Sequence, residues 1–390
     1  MWRIASIALL AALPVAAQST DRWQPSEFFI YLWNEPKIAD LDARAKALAD
    51  AGLTVVDWDP GQLAALERHG LRAMVHNATP ELAARLSGNS IVWGYHVKDE
   101  PYPEDEFQAI GAQMKGLRQA DPNHLPFVNM LSTTGEFLRT YMKVVRPELL
   151  SFDYYQWWWG GDRYFEKLEQ FREAALIAGV PLAACFEVSA NPAIERGDTT
   201  YLADNAGKLR QSVYTTLAYG AKGVEWFNAA MMFDTSTGSL TPAGRDAAAL
   251  NSELKSIGPV LAKLSSLDVY HTPPLAAGTR TAPKEHWIQL TGEEGRPGLV
   301  QGMFKDEAGL DYMLVVNRDY REQQSVTVRL QSKWLGIAPW NKPKVYHYAV
   351  EVLDKRSRQW IPVTSSSAVG FGFVIAPADG ELFRIATKID

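Results

Sequence analysis

Apolar runs with the chemistry of β-strands recur along the first two thirds of the chain, separated by segments with helical spacing. The eight runs cover residues 28–33, 53–58, 71–76, 91–97, 126–131, 149–155, 181–187 and 223–228. Helix formers with one apolar face dominate between them, at 40–51, 62–69, 103–119, 164–178 and 201–219. Because the runs are apolar almost throughout, they predict strands covered on both faces. Eight such strands alternating with helices predict an α/β fold, a parallel (β/α)8 TIM barrel.

An open, doubly wound sheet is the alternative arrangement of this pattern. Its usual purpose is to bind a dinucleotide, with a Gly-x-Gly-x-x-Gly turn after the first strand. The first run is instead followed by Asn34-Glu35-Pro36. The sequence therefore favours the closed barrel.

The periodicity changes near Pro273-Pro274. A last helical pattern covers 242–264, and beyond the two prolines short runs of β-branched and aromatic residues are separated by Gly, Pro, Asp and Asn. These runs cover 286–290, 299–304, 312–317, 325–330, 345–352, 360–363, 371–375 and 381–385. They predict a C-terminal antiparallel β-sandwich. We therefore expect a barrel domain at 18–268 and a sandwich domain at 269–390.

Residues 1–17 have the pattern of a secretory signal peptide. Arg3 supplies a positive charge, residues 4–13 form a short apolar run, and Val15-Ala16-Ala17 supply small residues for cleavage. The apolar run is too short to span a bilayer, and a buried N-terminal helix is the alternative interpretation. We expect a soluble, secreted or periplasmic protein that is not inserted in a membrane after cleavage. Its oligomeric state is open.

Composition narrows the class of ligand. The chain has 39 Lys and Arg against 45 Asp and Glu, a net charge of -6, so no excess of basic side chains is available to bind a phosphate backbone. We expect no nucleic-acid partner. The single cysteine, Cys185, excludes an internal disulfide and a Cys-x-x-Cys motif, and no cofactor motif is present, so we predict no cofactor. The chain has 13 Trp, 15 Tyr and 15 Phe, side chains that stack well on flat ligands such as sugar rings.

Two glutamates lie at the ends of predicted strands on opposite sides of the barrel. Glu100 follows the fourth run and precedes Pro101, and Glu187 ends the seventh run. Functional groups of TIM barrels lie at these carboxyl ends. A retaining glycosidase needs one carboxylate to attack the anomeric carbon and a protonated one, ~5–5.5 Å away, to protonate the departing oxygen. We predict Glu187 as the nucleophile and Glu100 as the acid/base. A solvated loop carboxylate and a structural ion pair are the respective alternatives.

The same residues resemble the pattern of the large clan of retaining (β/α)8 glycoside hydrolases. That pattern places the acid/base after strand four in an Asn-Glu-Pro or Asp-Glu-Pro setting, the nucleophile after strand seven and a Trp on strand eight. The matching residues are Glu100, Glu187 and Trp226, and residues 214–227 (YTTLAYGAKGVEWF) look like the passage into strand eight of bacterial members. The resemblance covers roughly 25–265 and implies glycoside hydrolysis, without naming a family in the clan.

One position departs from that pattern. Most of the clan has Asn before the acid/base, where its amide binds the sugar 2-hydroxyl, and this chain has Asp99. An aspartate can accept that hydrogen bond. If ionised, it also raises the pKa of the neighbouring acid.

Other strand ends carry candidates for binding a sugar. Amide, imidazole and phenol groups hydrogen-bond hydroxyls, and exposed indoles stack on pyranose faces. Three consecutive tryptophans, 157–159, cannot all face a core, because neighbouring side chains point in different directions. The predicted substrate-binding residues are Asp99, His76, Asn77, Asn129, Tyr155, Trp157, Trp158 and Trp226.

Each of these candidates has a plain structural alternative. His76 and Tyr155 are also suited to a core, and the tryptophan segment is suited to packing on the sandwich. We expect the Tyr155 hydroxyl to reach the Glu187 carboxylate. Asp57 and Asp59, beside the second strand, either bind hydroxyls or cap the next helix.

Two rival functions remain. A metal-dependent barrel hydrolase would draw on His76, His96, Asp57 and Asp99, but the His-x-His pair typical of zinc barrels is absent from the end of strand one. We predict no metal.

Asn34-Glu35-Pro36 is similar to an acid/base motif, but it lies on strand one, and a role for Glu35 stays open. The second rival is a catalytically silent barrel that binds glycans. For a glycosidase and for a glycan-binding barrel we expect an oligo- or polysaccharide partner, whose sugar and linkage the sequence does not indicate.

Overall fold

The computed structural model describes residues 27–133, 135–331, 346–364 and 370–389. The predicted signal peptide, residues 1–17, lies outside these residues.

Eight parallel strands close into a barrel in sequence order, with the first strand pairing with the last. The strands are β1 Phe29–Leu32, β2 Val55–Asp57, β3 Arg72–His76, β4 Val92–Asp99, β5 Leu125–Leu131, β6 Leu150–Asp153, β7 Leu182–Glu187 and β8 Ala221–Phe227. Each overlaps one of the predicted apolar runs. The predicted (β/α)8 barrel is confirmed, and the open-sheet alternative is wrong.

Both faces of the barrel strands are buried, which explains why the runs are apolar throughout. Alternate residues point into the barrel, where Phe29, Tyr31 and Met74 form one cluster. Their neighbours Ile30 and Val75 pack outward in the cluster that includes the helices.

Ten α-helices in the described residues connect or flank the strands. They are α1 Leu41–Asp50, α2 Ala64–Arg68, α3 Pro80–Leu86, α4 Glu106–Ala120, α5 Gly135–Val144, α6 Gln156–Trp159, α7 Tyr164–Ala178, α8 Asn205–Ala218, α9 Ala229–Met232 and α10 Pro242–Leu261. Caps define several starts: the Thr241 hydroxyl accepts from the Gly244 N–H at 2.9 Å. None of these helices combines the length and apolar character that crossing a membrane requires.

The C-terminal part forms two antiparallel sheets. Its strands are β9 Ser265–His271, β10 Ile288–Thr291, β11 Leu299–Lys305, β12 Asp311–Asn317, β13 Gln324–Leu330, β14 Tyr346–Asp354, β15 Gln359–Thr364, β16 Gly370–Ile375 and β17 Gly380–Ile389. The smaller sheet has the order β10-β13-β16 and the larger one β15-β14-β17-β12-β11-β9. Val326 of the smaller sheet and Val315 and Phe383 of the larger one share a core. The predicted β-sandwich is confirmed.

Strand β9 was not expected from the sequence. Its first four residues alternate between exposed and half-buried and carry Ser and Asp, so they lack a strong apolar run. The strand pairs with β11 at the edge of the larger sheet. The domain boundary expected between residues 268 and 269 therefore falls inside a sandwich strand.

The sandwich packs against α8 of the barrel. The Gln211 side chain donates to the Arg318 carbonyl oxygen, and Arg210 pairs with Asp379 at 2.7 Å. A Cβ atom on Gly207 would lie 2.5 Å from the Tyr320 carbonyl oxygen, so only glycine fits there. This contact places the loop that carries Tyr320 beside α6 and the barrel mouth.

Candidate active site

The carboxyl ends of the barrel strands bring acidic side chains from four strands together, in an opening here called the mouth. Asp57 is the last residue of β2, Asp99 is the last residue of β4 and Glu100 comes next. Asp153 is the last residue of β6, and Glu225 lies on β8. Their charges act on one another: Glu100 and Asp57 raise the pKa of Asp99, after desolvation, which is the main cause. The mouth is therefore an acidic site.

Glu100 and Asp153 form a carboxyl pair. Glu100 is exposed, with a left-handed φ of 43°, and its N–H donates to the Asn129 carbonyl oxygen at 2.9 Å. Asp153 is only 2% exposed, and its side chain is hydrogen-bonded to that of Glu100. Burial first, and then the hydrogen bond and the charge of Glu100, raise the pKa of Asp153 well above its ordinary value. Two neighbouring carboxyl groups disfavour being ionised together, so the buried Asp153 favours its protonated form.

A chain of hydrogen bonds runs from Asp99 across the mouth to Glu225. Asp99 accepts from Asn129 at 3.1 Å, and Ser151 donates at 3.3 Å to the Asn129 side-chain oxygen. Ser151 also lies 2.5 Å from Glu225, which accepts from the Trp33 indole at 2.9 Å. The predicted residues Asp99 and Asn129 are therefore brought together, and Glu225 is joined to them.

We expect Glu225→Gln to flatten the pH dependence of stability. Burial raises the pKa of Glu225 to about 7, although bonds from Ser151 and Trp33 oppose this. A glutamate in the unfolded chain loses its proton at about pH 4.3. Between that pH and about pH 7, Glu225 therefore keeps its proton in the folded chain and has lost it in the unfolded chain. The free energy of unfolding then falls with rising pH, by on the order of 1 kcal/mol per pH unit. Urea unfolding at several pH values measures the slope.

The exposed Glu104 provides the matched control, because Glu104→Gln removes a carboxylate from the surface. An unchanged slope in Glu225→Gln would mean that Glu225 is ionised in the folded protein.

His76 and Asp57 form a second polar group in the mouth. Asp57 accepts from His76 at 2.7 Å, from the Tyr31 hydroxyl at 2.5 Å and from the Asn34 N–H at 2.6 Å. Burial opposes a charge on His76, but the hydrogen bond to Asp57 and its charge outweigh it and raise the pKa of the imidazole. Asp57 thus orients His76, rather than capping a helix.

His96 lies beside His76, with ring centroids 4.4 Å apart. Burial first, and then the charge of His76, lower the pKa of His96 to about 4, so this ring is neutral at pH 7. Its Nε2 atom is buried without a hydrogen-bond partner. It is a polar atom that a ligand hydroxyl would satisfy.

Glu187 ends β7 and is fully buried, with 0% exposure. Its Oε1 atom accepts from the Trp157 N–H at 3.2 Å, and its Oε2 atom has no hydrogen-bond partner. Burial raises the pKa of Glu187 to about 8, although the Trp157 N–H and the charge of Lys208 oppose this. The carboxyl group beside Glu100 is therefore that of Asp153, and Glu187 is bonded instead to the backbone of α6.

One side of the mouth is aromatic, here called the aromatic wall: Tyr155, Trp158, Trp159 and Phe227. The Tyr155 ring lies 5.0 Å from Trp158, 4.8 Å from Trp159 and 5.6 Å from Phe227. Trp158 donates to the Ser189 carbonyl oxygen at 2.8 Å, and Trp159 is 47% exposed. Tyr155 is buried and Trp158 is half-buried, and both pack beside the barrel interior; their role in binding a substrate stays a prediction.

The Tyr155 hydroxyl has a different partner from the one expected. It lies 3.7 Å from the Cys185 sulfur, whereas the Glu187 carboxyl group accepts from the Trp157 N–H. The prediction that it holds the nucleophile in place is wrong, because the ring is turned towards the barrel interior.

Two of the predicted sugar-binding tryptophans lie elsewhere. Trp226 is 0% exposed, and its indole donates to Asn251 of α10 at 2.8 Å, so it packs behind β8. Trp157 donates to the Lys208 carbonyl oxygen at 3.1 Å and lies 5.2 Å from the Tyr320 ring of the sandwich. Both assignments are corrected: Trp226 belongs to the outer core, and Trp157 makes the domain contact that was the alternative for this segment.

The remaining candidates lie at the rim. Asn77 is exposed just after β3, with a left-handed φ of 54°. Glu35 forms an ion pair with Arg44 of α1. Asp59 accepts from the Gly61 N–H at 2.7 Å, as in a turn. Within the described parts of the chain, no group of three or more His, Cys, Asp or Glu side chains is arranged to hold a metal ion.

Three residues of the mouth were missed at the level of sequence: Asp153, Glu225 and Trp159. Asp153 closes the sixth apolar run, the same signal that singled out Glu100. Glu225 stands inside an apolar strand, as Glu187 does. Both positions could therefore have been identified from the sequence, but the sequence does not indicate which carboxyl groups lie next to each other.

No protein-family model and no curated protein matches the chain. Similar solved structures include a family 27 β-L-arabinopyranosidase from Geobacillus stearothermophilus, with 9% identity, a TM-score of 0.49, and coverage of 94% of this chain and 97% of that one. A family 39 glycoside hydrolase from Bacteroides cellulosilyticus has 10% identity, a TM-score of 0.46, and coverage of 94% and 81%. An endo-β-1,4-mannanase from Thermotoga petrophila has 9% identity, a TM-score of 0.40, and coverage of 75% and 94%. Because these identities and TM-scores are low, the barrel fold of this chain is assigned from its own strand pairing and not from the similar structures.

Proposed function

We propose that this protein is a glycoside hydrolase that acts at the barrel mouth. One observation carries the proposal: exposed Glu100 is hydrogen-bonded to buried Asp153, so a proton is kept beside a carboxyl group that a ligand can reach. Cleavage of a glycosidic bond requires such a proton for the departing oxygen, because an alkoxide is a poor leaving group.

The lining of the mouth suits an uncharged sugar chain. The aromatic wall offers apolar faces for pyranose rings, and Asn129, Asp99, His76 and His96 offer groups for hydroxyls. The acidic residues disfavour anionic substrates by repulsion. We propose an oligo- or polysaccharide of neutral sugars as the substrate class.

In the proposed reaction Glu100 is the acid/base and Glu187 the nucleophile. The Glu187 carboxylate attacks the anomeric carbon as the C–O bond breaks, and the bonding electrons and the Glu100 proton go to the departing oxygen. Water then cleaves the glycosyl ester, and Glu100 takes the proton of that water. This role requires Glu187 to lose its proton and to leave its buried position when the sugar binds.

A catalytically silent, glycan-binding barrel is the second candidate function. The full burial of Glu187 favours it, since a buried, protonated carboxyl group cannot attack a sugar as it stands. Such a protein would use the same aromatic wall and hydroxyl-binding groups without turnover.

A panel of aryl glycosides and of plant and microbial polysaccharides separates the two functions. We expect hydrolysis, with product formed first in the same anomeric configuration as the substrate, observed by ¹H NMR early in the reaction. Glycan binding without turnover, with an affinity unchanged in Glu100→Gln and Glu187→Gln, would instead identify the silent barrel. Chelator treatment is the control for the metal-dependent alternative, and hydrolysis that EDTA abolishes would contradict the two-carboxyl mechanism.

A further inference from the structure

Strand β5 holds Glu100 and Asp153 on its two sides. On one side the Glu100 N–H donates to the Asn129 carbonyl oxygen at 2.9 Å, directly after Asp99 pairs with Asn129 in the β4–β5 register. On the other side Leu131 pairs with Asp153, whose carbonyl oxygen accepts from the Ser132 N–H at 3.2 Å. Both backbones are therefore anchored to the same strand, which holds the two residues on either side of β5 at the mouth.

Asp153 has no counter-charge among its recorded contacts. The titratable groups that act on it or that it acts on are Glu100, Asp99, Tyr155 and Cys185, and none of them carries a positive charge. Its Oδ1 atom is buried without a hydrogen-bond donor. An isolated buried carboxylate is costly, so a purely structural aspartate would be expected to have an arginine, a lysine or several N–H donors around it.

We propose that Asp153 is a positioning residue that holds the Glu100 carboxyl group in place and keeps one proton on the pair until glycoside cleavage consumes it. This inference rests on the proposed glycosidase function and adds a third acidic residue to it.

The proton balance of the cycle follows from the pair. One proton is shared at rest, and it lies on Glu100 when the glycosidic C–O bond breaks and the oxygen takes the bonding electrons. The Glu100 O–H bond then breaks and the new O–H bond of the leaving group forms, which leaves both carboxyl groups ionised. Their repulsion favours the return of a proton, which comes from the water that cleaves the glycosyl ester.

Carboxyl titration by ¹³C NMR tests the pair without any substrate. The protein is labelled at aspartate side-chain carboxyl carbons, and Asp153→Asn identifies the Asp153 signal as the one that disappears. We expect Asp153 to titrate at a clearly higher pH than the exposed aspartates of the wild type, and at a lower pH in Glu100→Gln, which removes the neighbouring charge. Glu104→Gln, in the same exposed loop, serves as the control and leaves the midpoint unchanged.

Two outcomes overturn the proposal. In the first, Asp153 titrates together with the exposed aspartates of the wild type. In the second, its midpoint is the same in wild type and in Glu100→Gln. Both are read from the resting protein, so they are decided even if no glycoside is hydrolysed and the proposed function fails.

The kinetic readout distinguishes positioning from a structural role. In Asp153→Asn the asparagine amide donates to Glu100 and favours its ionised form. We expect kcat for glycosides with poor leaving groups to fall about 10²-fold, KM to change little, and the alkaline limb of the pH profile to move to lower pH. Equal losses for nitrophenyl and alkyl leaving groups, with an unmoved pH profile, would show a structural residue and contradict the inference.

Discussion

Glu100→Gln is expected to lose hydrolysis of glycosides whose leaving group needs a proton, while nitrophenyl glycosides are still cleaved. A glutamine keeps the size of the side chain but has no carboxyl proton to give, and proton transfer of this kind contributes about 10²–10⁴-fold to rate. A nitrophenolate leaves without protonation, so its first step is spared. The measurement is kcat/KM for a series of leaving groups of increasing pKa, which should become much steeper in Glu100→Gln.

Glu35→Gln is the matched control. The segment Asn34-Glu35-Pro36, just after β1, resembles Asp99-Glu100-Pro101 in sequence, but the Glu35 carboxylate forms an ion pair with Arg44. We expect its leaving-group dependence to equal that of the wild type. Losses of the same size for activated and unactivated substrates in Glu100→Gln would contradict the acid/base assignment.

Glu187→Gln is expected to abolish hydrolysis of every substrate, activated or not. Without a nucleophile no glycosyl ester forms, and removing a catalytic nucleophile should lower the rate on the order of 10⁴–10⁶-fold. The fold should survive, because burial raises the pKa of Glu187 to about 8 and the neutral glutamine imitates its protonated form at pH 7. Single-turnover assays measure the rate, and urea unfolding measures the stability.

The opposite pattern would change the mechanism. If Glu187→Gln turned over at the wild-type rate while Glu100→Gln did not, Glu187 would be a structural residue. Small, equal losses in both variants would argue against the two-glutamate mechanism altogether.

The architecture was predictable because each barrel strand is buried on both sides. Predicted runs such as 91–97 and 181–187 are apolar nearly throughout, and this pattern is local and repeated. The edge strand β9 and the four-residue helices α6 and α9 escaped prediction, because a half-exposed edge and a single helical turn leave too little periodicity to detect.

The site was predictable in its location but not in its pairings. Glu100, Asp99, Asn129 and His76 lie at the mouth, as strand ends of a barrel must. Trp226 shows the limit of this approach: it follows Glu225 by one residue, and alternation along β8 sends Glu225 into the barrel and Trp226 behind it.

By itself, the sequence determined that eight doubly covered strands close into a barrel followed by a sandwich, and that acidic and aromatic side chains gather at one end. Only the tertiary structure decided that Glu100 meets Asp153, that the buried Glu187 accepts from the Trp157 N–H, and that the Trp157 ring packs beside Tyr320 of the sandwich. Hydrophobic periodicity is a local property of the chain, whereas the stagger of neighbouring strands and the packing of α6 decide which side chains meet at the mouth.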